Sequence, residues 1–504
     1  MPVAVSYPGV YVQETSGGVR GIPGVATSIT ALLGRALRGP VDEPVAIAGF
    51  AEFERIFGGL WVGSALGFAV RDFFMNGGTR AIIVRMYQAP ADGSRSHAVI
   101  DVGSLRLQAR DPGLWGNALQ VQVDHDVAGP DAFNLTVRDS ATHQLEVFRG
   151  VSVLPGHPRQ VDRVLLNESR LLVVAGALPE SRPAATACLV PDSGMALAEG
   201  LLTGESFIGP VSVAEKRGLH ALDQADLFNI LCIPPYLARG DDLLAGDVDR
   251  EVVAAAAHYC ECRRAMLLVD APSAWHDPQA AAAGIAAVGT ASRNAALFFP
   301  RLLEAVAERS GQVSALAPCG AIAGILARTD ANRGVWEAPA GIDTALNGVE
   351  GLSVAISDAA NGLLNPLGIN CLRAMSSAGR IVWGARTLQG DDRLGSEWKY
   401  IPVRRTALFI EESVYRGTQW AVFEPNDEPL WAQVRLHVGA FLHNMFRQGA
   451  FQGMTPSEAY FVKCDRETTT REDSNRGIVN IMVGFAPLKP AEFVVITIQR
   501  IAGA

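Results

Sequence analysis

Basic charge is scarce in this sequence relative to acidic charge. Its 504 residues include 43 lysines and arginines against 52 aspartates and glutamates, which gives a net charge of -9 at pH 7. A general nucleic-acid-binding surface needs a basic patch that replaces phosphate counterions, and no such run occurs. We therefore expect no nucleic-acid contact.

Long apolar runs are also missing. The longest stretches, such as Val252 to Ala257 and Ala280 to Val288, are rich in alanine and fall well short of the ~20 residues that a bilayer requires. The first residues, Met1 to Ser6, contain neither the basic nor the apolar segment of a secretory signal peptide. These absences predict no stable membrane insertion and synthesis in the cytoplasm without a signal peptide.

The cysteines form no recognisable set of disulfides or metal ligands. There are seven, scattered along the chain, so we expect reduced, buried thiols. Cys260 and Cys262 look like half of a metal site, but in a helical pattern residues two apart point about 200° away from each other. His437 and His443 are similarly separated, by about 240° around a helix. We predict no metal site.

A cofactor-binding loop is absent as well. Phe228 to Ile233 and Ala265 to Val269 are nearly continuous apolar runs with a helix, Val248 to Arg263, between them, which predicts an α/β layer with parallel strands. A nucleotide-binding fold is an alternative, yet neither Gly-x-Gly-x-x-Gly nor a Walker-type Gly-Lys-Ser/Thr follows any of these strands. The sequence predicts no cofactor, no catalytic residues and no enzyme.

One segment of charged residues could be interpreted as a catalytic cluster: Arg328, Asp330, Arg333 and Glu337. A structural ion-pair network is favoured, because no histidine lies near them in sequence and no nucleophile motif accompanies them. Just before this segment, Gly320 to Gly324 reads Gly-Ala-Ile-Ala-Gly. This pattern is typical of two helices in close contact, which needs no ligand.

Residues 21–390 divide into three segments that show two kinds of sequence pattern. Residues 21–90 combine strands such as Ala81 to Met86 with helices such as Ser64 to Met75, and residues 206–390 resume that alternation with a helix from Gln279 to Arg293 and a strand from Ala295 to Phe299. Between them, residues 91–205 carry short alternating runs and turn residues, which predicts a β-rich inserted domain.

Residues 391–489 hold the clearest helix, from Asn426 or Asp427 to Gln448. Its predicted apolar stripe comprises Trp431, Val434, Val438, Phe441, Leu442 and Met445, and its predicted polar face comprises His437, Asn444, Arg447 and Gln448. A second helix is predicted from Pro456 to Phe461 and a strand from Ile478 to Val483, with a last strand from Glu492 to Ile501. Because two strands form a marginal sheet by themselves, something else must complete it.

Both ends of the chain have the composition of exposed strands. The apolar residues at these ends are Val3, Val5, Val10, Tyr11 and Val12, and Phe493, Val494, Val495, Ile496 and Ile498. Left bare, such strands would aggregate. We therefore expect the arms 1–20 and 490–504 to exchange strands between subunits.

A series of motifs in this order resembles tail sheath proteins of contractile phage tails and related contractile injection particles. They are Tyr7 to Glu14, Phe73 to Gly78, Arg328 to Ala340, Leu364 to Asn370, Gly379 to Leu388, Phe423 to Asp427, Phe461 to Asp465 and Pro490 to Val495. The resemblance covers about residues 1–90 and 210–504. Residues 91–205, the expected outer insert, share only Asp111 to Asn117 with it.

The resemblance implies a mixed α/β, multi-domain fold whose C-terminal domain is completed by strands from neighbouring subunits. It also implies a helical homo-polymer that surrounds an inner tube, contacts baseplate and terminal cap proteins, and contracts within a phage tail or tail-like particle, with release outside the cell left open. The polar helix face suggests Arg435, His443 and Arg447 as contacts to the tube, although a solvated face would look the same. A rigid, non-contractile tail coat and an α/β enzyme are the alternatives.

Overall fold

The computed structural model describes residues 21–90, 96–191, 194–210 and 212–492. The chain divides into two compact units. The large unit comprises residues 27–333 and 338–404, and the C-terminal unit includes residues 21–26, 334–337 and 405–492.

A central eight-stranded sheet organises the large unit. Its strands follow the spatial order Pro44–Ile47, Ala81–Arg85, Thr30–Gly34, Ile230–Cys232, Met266–Asp270, Ala295–Phe299, Ile369–Met375 and Gly379–Trp383. The inner strands pair in parallel, and each edge strand pairs antiparallel with its neighbour. The predicted α/β layer with parallel strands is confirmed.

Hydrophobic cores lie on both faces of this sheet, because successive side chains of a strand point to opposite faces. Ala31 and Leu33 pack into one core, whereas Leu32 packs into the other. The α-helices of this sheet region are Phe50–Phe57, Leu66–Met75, Gly204–Ile208, Ser212–Glu215, Arg250–Cys262, Pro278–Gly284, Cys319–Arg333 and Asp358–Leu364. Burial on both faces explains why the inner strands read as continuous apolar runs.

The helix predicted from Gln279 to Arg293 is shorter than expected. The α-helix ends at Gly284, and a single 3-10 turn, Ile285–Ala287, follows it. Gly289 then adopts a left-handed backbone with φ of +102°, a conformation that stops a helix. The prediction was wrong for residues 288–293.

Residues 96–191 contain two antiparallel sheets around one hydrophobic core. One has the strands Thr186–Leu189, Leu119–Asp124, Ala132–Asp139 and Leu145–Ser152, and the other has Val99–Val102, Leu105–Ala109 and Leu172–Val174. The helix Val161–Glu168 packs into the same core. Strands dominate this segment, while the domain boundaries near residues 91 and 205 stay a prediction.

Two smaller sheets complete the large unit. Leu237–Arg239 pairs with Asp242–Asp247, and Leu302–Val306 lies between Gln312–Leu316 and Gly351–Leu352. Short 3-10 helices occur at Leu114–Ala118, Gly218–Gln224 and Ala307–Arg309. None of the helices in the described ranges combines the length and apolar character needed to cross a bilayer.

The C-terminal unit is built around the predicted long helix. This helix spans Glu428–Arg447, with the Asp427 carboxylate accepting a hydrogen bond from the Leu430 amide and Pro429 in the first turn. All residues of the predicted apolar stripe are buried. The other helices are Ile401–Gly417 from Arg405 onward, Gln419–Ala421 (3-10), Pro456–Ala459 and Arg471–Asn475, and the strands are Tyr460–Lys463 and Met482–Phe485.

Two predicted elements of the C-terminal unit were wrong. The helix expected from Pro456 to Phe461 begins with the Thr455–Glu458 capping box but ends at Ala459, because Tyr460 adopts an extended backbone and starts the strand Tyr460–Lys463. The strand expected from Ile478 to Val483 begins later, at Met482. The final strand expected from Glu492 to Ile501 lies outside the described residues from position 493 onward.

The Gly-Ala-Ile-Ala-Gly pattern lies where two helices of the large unit touch. A Cβ on Gly320 would overlap the backbone carbonyl of Ala69, and one on Gly324 would lie 2.5 Å from the Phe73 carbonyl oxygen. Both contacts belong to the helix Leu66–Met75. Close helix packing is confirmed as the role of this pattern.

We expect Gly320→Ala and Gly324→Ala each to lower the free energy of unfolding by about 1–3 kcal/mol, because backbone atoms cannot move aside easily. Gly362→Ala is the matched control, since Gly362 lies in the helix Asp358–Leu364 with open space around it. It should be neutral or stabilising by up to about 1 kcal/mol. Urea unfolding of the three variants measures these changes, and equal values for all three would contradict the packing role.

Candidate assembly site

A small sheet in the C-terminal unit has only two strands among the described residues. Tyr460–Lys463 pairs antiparallel with Met482–Phe485, in a register that sets Tyr460 opposite Phe485. At one end the Gln452 amide donates to the Ala486 carbonyl at 2.9 Å. A pair of strands is marginally stable without further support, and the outer edges of strands expose backbone groups that can pair with another chain.

One face of this sheet is anchored to the core of the unit. Tyr460, Val462, Val483 and Phe485 pack into that core, and the Phe451 ring lies 5.7 Å from the ring of Phe485. The opposite face leaves Phe461 and Met482 about half exposed, at 49% and 52%. The core therefore fixes which face of the sheet is buried, and within the described ranges no third strand pairs with Tyr460–Lys463 or Met482–Phe485.

The residues predicted to supply those strands lie outside the described residues. This applies to Val3, Val5, Val10, Tyr11 and Val12 and to Phe493, Val494, Val495, Ile496 and Ile498. Their exchange between subunits stays a prediction.

The residues predicted to contact an inner tube lie on the long helix. Arg435 is partly exposed and donates to the Glu428 carboxylate at 2.6 Å and to the Cys464 carbonyl. His443 is exposed, with Nδ1 3.2 Å from the Tyr460 hydroxyl. Arg435 and His443 thus flank the strand Tyr460–Lys463 at its two ends.

Arg447 completes the predicted contact set and is exposed on the last turn of the helix. It lies four residues after His443, a spacing that places both side chains on one helix face. The helix therefore offers an exposed face with basic groups near its C-terminal end. Contact of this face with a tube stays a prediction.

His437 does not belong to the polar face on which it was predicted. Its side chain is only 7% exposed, and its ring packs edge-to-face on Trp420 with centroids 5.1 Å apart. The Nδ1 atom of His437 has no hydrogen-bond partner within the described structure. The prediction failed because residue type alone suggested exposure, whereas an aromatic neighbour from a separate 3-10 turn covers this position.

The cysteine prediction was right for five residues and wrong for two. Cys232, Cys260, Cys319, Cys371 and Cys464 are buried free thiols, whereas Cys188 and Cys262 are exposed. Cys260 and Cys262 lie on opposite sides of the helix Arg250–Cys262, as the helical geometry predicted. Burial raises the pKa of the Cys260 thiol, which leaves it protonated and unreactive at neutral pH.

The charged segment that begins at Arg328 is anchored to the backbone. The Arg328 guanidinium donates to the Ala345 carbonyl oxygen at 2.7 Å, and its partial burial lowers its pKa. Asp330, Arg333 and Glu337 also have interaction partners. The ion-pair network itself stays a prediction.

The carboxyl ends of the parallel strands are where an α/β enzyme would bind its ligand. At this edge Asp270 accepts a hydrogen bond from the Cys319 amide at 2.9 Å, and Arg301 donates to Asp247 at 3.0 Å. Burial raises the pKa of Asp270 to about 6. The cavity beside them measures only about 60 Å³, whereas pockets for small-molecule substrates occupy about 300–1,000 Å³. Its size does not favour a substrate site.

The candidate assembly site lies within a part of the chain that matches a known family domain. Residues 395–501 match the phage tail sheath C-terminal domain. The chain is 27% identical over 299 residues to a prophage major tail sheath protein of Pseudomonas aeruginosa, covering 57% of this chain and 70% of that relative. It is 26% identical over 476 residues to the tail sheath protein of Burkholderia phage BcepMu, covering 88% and 87% of the two chains.

Solved structures with the same fold are also sheath proteins. The contracted sheath complex of the PVC extracellular contractile injection system matches with a TM-score of 0.60 and 20% identity, over 99% of this chain and 98% of that one. The contracted helical sheath of the anti-feeding prophage matches with a TM-score of 0.58 and 22% identity, over 98% and 99%. Together with the sequence matches, these results show that the chain is similar to tail sheath proteins over most of its length and shares the fold of solved sheath structures.

Proposed function

We propose that this chain is the structural subunit of a contractile sheath, which polymerises around an inner tube and contracts to drive the tube through a target envelope. The observation that carries the proposal is the two-stranded sheet formed by Tyr460–Lys463 and Met482–Phe485. Both strands lie within the matched sheath domain. A two-stranded sheet among the described residues supports completion by further strands, because such a pair is marginal by itself.

The proposed completion is an exchange of arms between subunits. Residues 1–20 and 490–504 supply strands that add to the sheets of neighbours through backbone hydrogen bonds. Each hydrogen bond contributes about 1 kcal/mol net, so one strand of five or six residues adds several kcal/mol per contact. An arm of one subunit bound to the body of another is a heterologous contact, which propagates into a helix when the rotation does not close.

Contraction follows from the same connections. Arms tether subunits while the subunit bodies rotate and slide, so the sheath can change pitch without coming apart. The extended sheath is a kinetically trapped state whose release supplies the work. The solved relatives include helical sheaths in a contracted state and baseplate assemblies, which supports a homo-polymer that meets a baseplate. An inner tube and a terminal cap are the further partners that we propose.

A rigid tail coat is the second candidate function, because strand exchange would also build a non-contractile tube. The contracted states of the structural relatives favour the contractile sheath. A catalytic function at the carboxyl edge of the sheet finds little support, since the cavity there is small. The proposed site of action is a phage tail or tail-like particle that assembles in the cytoplasm and needs no cofactor.

Deletion of residues 491–504 should leave a folded chain that cannot form sheaths, because the added strand is lost and the body is not. Negative-stain microscopy of the full chain, with and without its tube protein, should show hollow tubes that shorten and widen. Deletion of residues 502–504 is the control and should preserve these tubes. Intact tubes from the chain that lacks residues 491–504 would contradict strand exchange. Tubes of the undeleted chain that keep a fixed length would favour the rigid coat.

Charge reversal at the exposed helix face tests the proposed tube contact. The triple variant Arg435→Glu, His443→Glu and Arg447→Glu should lose tube-templated assembly, because it replaces basic or neutral groups with acidic ones. Circular dichroism controls for folding, since Arg435 also bonds Glu428. A second variant, His443→Glu with Arg447→Glu, leaves that ion pair intact and should weaken co-sedimentation with the tube at least tenfold. Unchanged co-sedimentation of both variants would exclude this face.

A further inference from the structure

The loop between the helices Ile401–Gly417 and Glu428–Arg447 presents an aromatic ring to solvent. Phe423 is 103% exposed, and Val422 beside it is 56% exposed. A phenylalanine ring that becomes buried removes on the order of 150–250 Å² from water. Together the two side chains hold apolar surface in solvent at the tip of this loop.

The backbone at this position is strained. Phe423 has a φ of +72°, in the left-handed region that a bulky L-residue avoids for steric reasons. Packing inside the chain does not offset this strain, because the ring is fully exposed. Strain of this kind persists only where the surroundings hold the conformation in place.

The surroundings do hold this loop in place. The Trp431 indole donates to the Asn426 side-chain oxygen at 2.9 Å, and the Asn426 amide donates to the Ile478 carbonyl at 3.0 Å. On the other side of the loop, the Trp420 ring packs edge-to-face on His437. Both ends of the loop are thus anchored to the core of the C-terminal unit, and the ring at its tip is preorganised for contact.

We propose that Phe423 is a docking residue that inserts into a second copy of this chain in the assembled sheath. The inference rests on the proposed sheath function and deepens it. The position of the loop indicates which molecule receives the ring. Asn426 bonds to Ile478, which lies four residues before the strand Met482–Phe485. The edge of this strand is the proposed acceptor for a neighbour's strand. A neighbour that pairs with this edge is the copy expected to receive the ring of Phe423.

The inner tube is the less suitable occupant. Two of the three basic residues proposed to contact it, His443 and Arg447, lie toward the far end of the helix Glu428–Arg447, which is about 30 Å long. The third, Arg435, is paired with Glu428 within this chain. The exposed residues flanking the ring are acidic, namely Glu424, Asp427 and Glu428. The receiving surface is therefore expected to be an apolar recess with neutral or basic surroundings.

Substitution of Phe423 separates its docking role from a role in folding. Phe423→Gly should leave the urea midpoint unchanged or raise it, because glycine adopts positive φ without strain. The same variant should raise the critical concentration for sheath assembly about ten- to a hundredfold, the range expected when one buried aromatic side chain is lost. Phe423→Leu keeps an apolar side chain and should assemble with less than a tenfold change. Assembly of Phe423→Gly at the wild-type concentration would overturn the proposal.

A photo-crosslinker identifies the occupant directly. The chain with p-benzoylphenylalanine in place of Phe423 is assembled with and without tube protein, irradiated and analysed by denaturing electrophoresis. Sheath-to-sheath crosslinks in both preparations are expected. Crosslinks to the tube alone, or none in assembled sheaths, would overturn the docking role. Failure of the wild-type chain to form any tube would contradict the proposed function and this inference together, whereas normal wild-type tubes with unaffected variants would contradict only the docking role.

Discussion

Backbone hydrogen bonding at the edges of one small sheet is the constraint on which the proposed assembly depends. The strands Tyr460–Lys463 and Met482–Phe485 bury one face in the core of the C-terminal unit, but they form a two-stranded sheet in the described part of the chain. Such a pair is only marginally stable. Unpaired strand edges carry a row of backbone donors and acceptors, and we propose that strands from neighbours pair with them.

The long helix serves this sheet in two ways. Its buried stripe packs against the strands, and the residues Arg435 and His443 on its outer side bond near the two ends of the strand Tyr460–Lys463. The loop that precedes it holds Phe423 outward at a strained φ. Contact with another subunit would explain both the strained backbone and the exposed ring of this residue.

Sequence patterns predicted the buried elements well. Ala295 to Phe299 was predicted with the same bounds as the structure, because a strand covered on both faces reads as an unbroken apolar run. The glycine spacing at Gly320 and Gly324 likewise indicated the helix contact. Tertiary contacts explain two wrong predictions. The helical turn after Thr455 is followed by a strand whose side chains alternate into the core. An aromatic ring covers His437, which was predicted to be exposed. Phe423 went unnoticed as a site, although an aromatic residue followed by Glu-Pro-Asn-Asp signals an apolar side chain in a turn.

The most direct measurement is a cryo-electron microscopy map of the polymerised chain at a resolution that traces the backbone. The account predicts additional strands beside Tyr460–Lys463 and Met482–Phe485, formed by residues 3–12 and 493–498 of other subunits. A sheet that keeps two strands in the polymer would contradict it. So would a sheet completed by the arms of its own subunit, because such a sheet would leave the subunits without the connections that a contracting sheath requires.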